Sequence, residues 1–181
     1  MTKENPFKER KNLPYFFLSL GIFIIAKLLY HQSETADLTF LLRPISAYLE
    51  FSYNSLAVYS PEKGYIHPDL FINIEKSCSG FNFWMICYLT LSFLVIPYGR
   101  NHWQKALSFI GLLALSYLLA LVVNIARISV SIQLSVFNDL LPYSDAIIHQ
   151  ALGVITNLSF LILIYLGLSW LLNLPRHAKT T

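Results

Sequence analysis

Three polar side chains stand at the borders of apolar segments. They are Cys78 in "EKSCSGFNFW", Arg127 in "NIARISV" and His149 in "HQALGV". Together they suit acyl transfer. Thiolate is the nucleophilic form of cysteine, and a nearby cation or histidine lowers a thiol's pKa. Histidine titrates near neutrality, so His149 suits taking and returning a proton. Arginine stays protonated at ordinary pH, so Arg127 suits holding a substrate carbonyl or the oxyanion of a tetrahedral intermediate. Asn124 lies three residues before Arg127 on the same helical face, where it would orient the guanidinium or donate to the substrate. Ser77 and Ser79 suit a helix cap, and Gly80 suits close backbone approach.

Each of these residues also has an ordinary use. A cysteine at a helix end packs, an arginine at the end of a spanning helix snorkels, and a histidine at a helix start is satisfied at the interface. Cys87, within an apolar run, reads as packing. On one helix it would sit roughly 13 Å from Cys78, too far for a disulfide. His31, His67, His102 and His177 form no metal-ligand spacing. No metal and no cofactor is expected.

The elements that must position the three side chains follow from composition. Of 181 residues 55% are hydrophobic and 13% charged, against about a quarter charged in a soluble domain. The segments 79–99, 106–126 and 146–174 carry no charge, and Leu13 to Tyr30 is interrupted only by Lys27, which can snorkel. A spanning helix takes about 20 apolar residues. The expectation is therefore an all-α polytopic membrane protein, a single domain over 1–181, with four spans at roughly 13–31, 79–98, 105–127 and 146–172. The first is not read as a cleaved signal, because no small-residue cleavage site follows it.

Between the first two spans lies an extracytoplasmic segment, 32–78. Leu38, Leu41, Leu42, Ile45, Leu49 and Leu56 follow a helical period broken by Arg43, Pro44 and Glu50. That pattern predicts an amphipathic helix in the outer interface, because both charges are costly at mid-bilayer unless paired. From Ala57 to Ser77, "AVY", a "SPEKG" turn, "YI" and "LFINIE" predict short strands.

Lysines and arginines set the orientation. Lys3, Lys8, Arg10 and Lys11, then Arg100 and Lys105, then Arg176 and Lys179 all fall on one side, the expected cytoplasm. Eight of the ten acidic residues fall on the other, two of them in the short loop from Phe137 to Asp145. On this topology Cys78, Arg127 and His149 reach the outer face from three different helices. The net charge of +3 therefore reflects membrane orientation and not nucleic-acid binding.

"SCSGFNF", "NIARISV" and "HQALGV", in that order and spacing, resemble the exosortase and archaeosortase family over roughly residues 38–170, in a reduced form similar to exosortase K. The resemblance implies a membrane-embedded cysteine transpeptidase of the cytoplasmic (inner) membrane, with both termini cytoplasmic and the site facing outward. Its substrates would be membrane-anchored proteins with a C-terminal sorting signal: a short motif, a transmembrane helix and a basic tail. It implies Cys78 as nucleophile, Arg127 as oxyanion or substrate-orienting cation, His149 as acid/base, and Asn124, Ser79 and Gly80 as supporting positions. The acceptor that resolves the thioester stays open between an amine and water. The competing readings are a thiol protease that releases its product, a non-enzymatic scaffold of a surface polysaccharide export system, and a transporter. Four spans without repeats or broken helix pairs give the last little support.

Overall fold

The computed structural model describes residues 10–99, 101–135 and 145–173, with side chains described over 11–99, 101–133 and 153–172. The basic tails and the acidic connection at 136–144 lie outside the described residues. The chain is mostly helical, with one small sheet. Helix α1 spans Leu13–Gln32 and carries Pro14 in its first turn, where a missing N–H costs nothing. It ends at Ser33, whose N–H and hydroxyl donate back to the Leu29 and Tyr30 carbonyls at 3.0 and 2.8 Å. Helices α3 (Phe81–Val95), α4 (His102–Ser135) and α5 (Asp145–Asn173) complete the long apolar set. Among the described residues, four helical segments are long and apolar enough to cross a membrane: Leu13–Gln32, Lys76–Tyr98, His102–Gln133 and Gly153–Leu172.

Two boundaries differ from the sequence expectation. Helix α4 continues two turns past Arg127, because "ISVSIQ" offers no glycine or proline to stop it. Arg127 therefore sits inside the helix and not at its end. Helix α3 starts at Phe81, because Gly80 takes the left-handed conformation at φ +71° and breaks the helical path. Lys27 donates to the Asn82 side chain of α3 at 2.7 Å.

Helix α2 (Thr39–Tyr53) buries Leu41, Leu42, Ile45 and Leu49 completely. Its apolar stripe rests on α4 and on the sheet, so protein covers it. Pro44 lies inside the helix and cannot donate to the Phe40 carbonyl one turn back. The Tyr117 hydroxyl of α4 fills that vacancy, donating to Phe40 O at 2.6 Å. The two charges that disfavoured this helix at mid-bilayer pair with each other, Arg43 Nη1 to Glu50 Oε1 at 2.6 Å.

The strands β1 (Val58–Ser60), β2 (Gly64–His67) and β3 (Ile72–Ile74) form an antiparallel sheet in sequence order. Tyr65 pairs with Ile74 and His67 with Ile72, which leaves β3 at the edge. His67 is fully buried between α2 and the sheet, with the hydroxyls of Ser46 and Ser55 each 3.1 Å from one ring nitrogen. Burial pushes its pKa below the ordinary histidine value. A second core joins Phe83, Cys87, Tyr88 and Leu91 of α3 to Leu112, Ala120 and Val123 of α4. Cys87 is buried there, as packing.

Candidate active site

The thiol sits on a single 3-10 turn, Lys76–Cys78, between strand β3 and helix α3. The turn closes through Cys78 N–H to Glu75 O at 2.9 Å and Ser79 N–H to Lys76 O at 3.1 Å. Helix α1 holds it from one side. The Tyr30 hydroxyl donates to Lys76 O at 3.0 Å, and its ring stacks on Phe81 with centroids 4.2 Å apart. The Lys76 ammonium lies 4.9 Å above the same ring and donates to Ser33 O at 2.6 Å. Ser79, buried, accepts the Phe81 N–H at 3.4 Å, so it serves one of the first donors of α3. The Ser77 hydroxyl lies 3.7 Å from the Cys78 sulfur and donates to Glu75 Oε1 at 2.9 Å.

Helix α4 holds the turn from the other side. Asn124 is buried, and its side-chain amide donates to the main-chain carbonyl of Cys78. A Cβ at position 80 would fall 3.1 to 3.3 Å from three Asn124 side-chain atoms. Gly80 is thus required twice, by its positive φ and by the approach of Asn124. One N–H of the amide is engaged by the Cys78 main chain, so Asn124 holds the cysteine turn in place.

Asn124, Arg127, Ile128 and Ser131 recur at helical spacing, so α4 turns one face toward the cysteine turn. Ile128 and Ser131 line a cavity of about 210 Å³ together with Cys78 and residues Phe71 to Ile74. Arg127 is one turn beyond Asn124 and adjacent to Ile128. Its Nε and Nη2 are buried without a hydrogen-bond partner among the described residues, as is Asn124 Oδ1. On its far side Gly153 of α5 approaches closely, since a Cβ there would lie 3.5 Å from Arg127 Nη1. The glycine of "HQALGV" therefore lies within van der Waals range of the Arg127 side chain. His149 stands one turn earlier in α5, and its side chain lies outside the described residues.

The cavity also meets the edge of the sheet. The Ile74 carbonyl faces Gly64 of β2 so closely that a Cβ there would overlap it at 2.2 Å. Main-chain groups alternate in direction along an antiparallel strand. Asn73 therefore turns its N–H and C=O away from β2, at the cavity wall that also holds Cys78. Buried donors without partners are rare in native proteins. Among the described residues, two of them sit on Arg127, one turn of α4 beyond the asparagine that holds the Cys78 main chain.

Of the expected set, the fold joins Cys78, Ser79, Gly80 and Asn124 directly and sets Arg127 on the next turn of α4. Sequence reasoning missed Tyr30, Lys76 and Asn73. The positions 128 and 131 were readable in principle, as the continuation of the Asn124–Arg127 face. No protein-family model, curated protein or solved structure matches the chain.

Proposed function

We propose that the chain is a membrane-embedded cysteine peptidase or transpeptidase that cleaves the C-terminal sorting signals of membrane-anchored proteins at the outer face of the cytoplasmic membrane. The observation that carries this reading is the pair of buried, partnerless Arg127 donors beside the asparagine that ties down Cys78. A guanidinium with donors unsatisfied among the described residues, one turn of α4 beyond the asparagine that holds Cys78, suits an oxygen that a substrate brings.

The chemistry follows from those parts. His149 takes the proton of Cys78, and the sulfur attacks the scissile carbonyl carbon. Negative charge moves to the carbonyl oxygen, which accepts from Arg127. Collapse breaks the C–N bond, His149 returns its proton to the departing amine, and a thioester on Cys78 remains. An amine or water then attacks the thioester and restores the thiol. The substrate segment docks extended against the edge of β3, taking the outward N–H and C=O of Asn73, as strand addition does elsewhere.

The test is intact-mass spectrometry of the protein isolated from its native membranes. An acyl adduct on Cys78 that hydroxylamine removes is expected, and Cys78→Ala must lack it. Arg127→Gln should slow adduct formation by about 10²–10³-fold, the cost of one oxyanion donor. Absence of any hydroxylamine-sensitive adduct in wild type, with Cys78 alkylating no faster than a thiol placed by Phe51→Cys at a position 90% exposed, would favour the scaffold reading.

A further inference from the structure

At the opposite end of the helices, a cavity of about 520 Å³ opens between the start of α1 and the start of α4, lined by Lys11, Tyr15, Asn101, His102 and Lys105. We propose that it binds the phosphate of an anionic phospholipid headgroup. The inference rests on the chain residing in a bilayer and is independent of the chemistry at Cys78.

Lys105 is the centre of the argument. It is only 9% exposed, and its ammonium donates to a neutral acceptor, Asn12 Oδ1 at 2.6 Å, and lies 5.0 Å over the Tyr15 ring. An ammonium has three donors and a full charge, and a buried charge is costly unless an opposite charge joins it. Among the described residues no carboxylate lines the cavity. Gly99 makes room for the lysine stem, since a Cβ there would fall 2.7 Å from Lys105 Cγ. Burial of this cation is thus built into the local backbone.

The other walls favour the same sign of ligand. Lys11 adds a second cation, and His102 is held by the Tyr15 hydroxyl at Nδ1. Helix α4 begins at His102 and runs for 34 residues, so the cavity meets the positive end of its dipole. Beyond the rim the surface turns apolar: Phe17 on α1 and Leu107 and Ile110 on α4 are well exposed, and Trp103 is 86% exposed. Tryptophan at the border of basic and apolar surface marks headgroup depth. A phosphate in the cavity with acyl chains along that surface matches both parts.

The experiment is native mass spectrometry of the detergent-solubilised full chain, titrated with phosphatidylglycerol and separately with phosphatidylcholine. Wild type should retain phosphatidylglycerol about tenfold more strongly, the scale of one charge-assisted contact. Lys105→Gln should abolish that preference. Because removing a buried cation can disturb folding, the doubly substituted Lys11→Gln, His102→Gln protein, altered only at exposed positions, provides the second arm and should lose most of the preference. Inorganic phosphate is the third arm. If it raises the melting temperature of wild type and not of the variants while the two lipids bind alike, the phosphate chemistry stands and its source is a free anion. Equal retention of both lipids by wild type, with no phosphate effect on melting, would overturn the proposal.

Discussion

Helix α2 carries an arginine, a proline and a glutamate in 15 residues, yet Leu41, Leu42, Ile45 and Leu49 are fully buried. Helix α5 carries no charge from position 146 onward, yet Val154, Ile155, Leu158, Leu163 and Leu166 are more than half exposed. Hydropathy and burial run in opposite directions in these two helices. The less apolar one is folded by protein, packed between α4 and a three-stranded sheet. The more apolar one has far more greasy surface than its described neighbours cover, and it is long and apolar enough to cross a membrane. The difference separates the chain into a self-packed lobe that carries the cysteine turn and long helices whose outer surface is apolar and exposed.

The largest effect that would break this contrast is on stability. Leu42→Ala or Ile45→Ala should each cost about 2–5 kcal/mol, because a fully buried site leaves a cavity. Leu163→Ala should stay within about 0.5 kcal/mol, because lipid replaces the lost contact. Thermal unfolding in bilayer nanodiscs measures both. Comparable losses at the two sites would mean that α5 is packed by protein after all.

A smaller effect comes from the joint between lobe and helices. Gly80→Ala puts a side chain on a left-handed residue, at roughly 1–2 kcal/mol, and against Asn124. The helical cores should survive while the cysteine turn shifts. Alkylation of Cys78 in the variant should then fall toward the rate of an ordinary exposed thiol, with unchanged helix content by circular dichroism.

The smallest effect is a pH dependence confined to the lobe. His67 is buried and its pKa is lowered, chiefly by that burial. The unfolded chain therefore binds more protons than the folded one, and stability rises with pH through the window. The contribution is fully present above the ordinary histidine value of about 6.5 and is lost as pH falls below it. Hydrogen-exchange protection at β2, taken relative to the intrinsic rate at each pH, should fall on acidification while protection in α3 and α4 holds steady. His67→Gln should flatten that response.

How much of this was legible in the sequence depends on the range of the interaction. The charge-free runs read directly as long helices, because length and hydropathy are local properties. The "SPEKG" turn between short β-branched and aromatic runs marked the hairpin for the same reason. The two turns of α4 beyond Arg127 were not legible, since an arginine 22 residues after Lys105 looks like the end of a crossing. Its side chain in fact lies beside Gly153 of α5. The Arg43–Glu50 pair spans two helical turns and removed the objection those charges raised. At the site, residue types pointed to Cys78, Asn124 and Arg127. Tyr30 and Lys76 gave no signal, because their bonds join segments more than 40 residues apart. The edge of β3 is a property of sheet order, which no local pattern encodes.

The central claim is that Cys78 forms a covalent bond to a protein substrate. The most direct measurement compares the membrane proteomes of cells carrying the wild-type chain and Cys78→Ala at equal expression, scored for proteins ending in an apolar helix and a basic tail. The account predicts that at least one such protein is shortened at the outer end of that helix in wild type and accumulates at full length in the variant. Identical processing in both strains would contradict it.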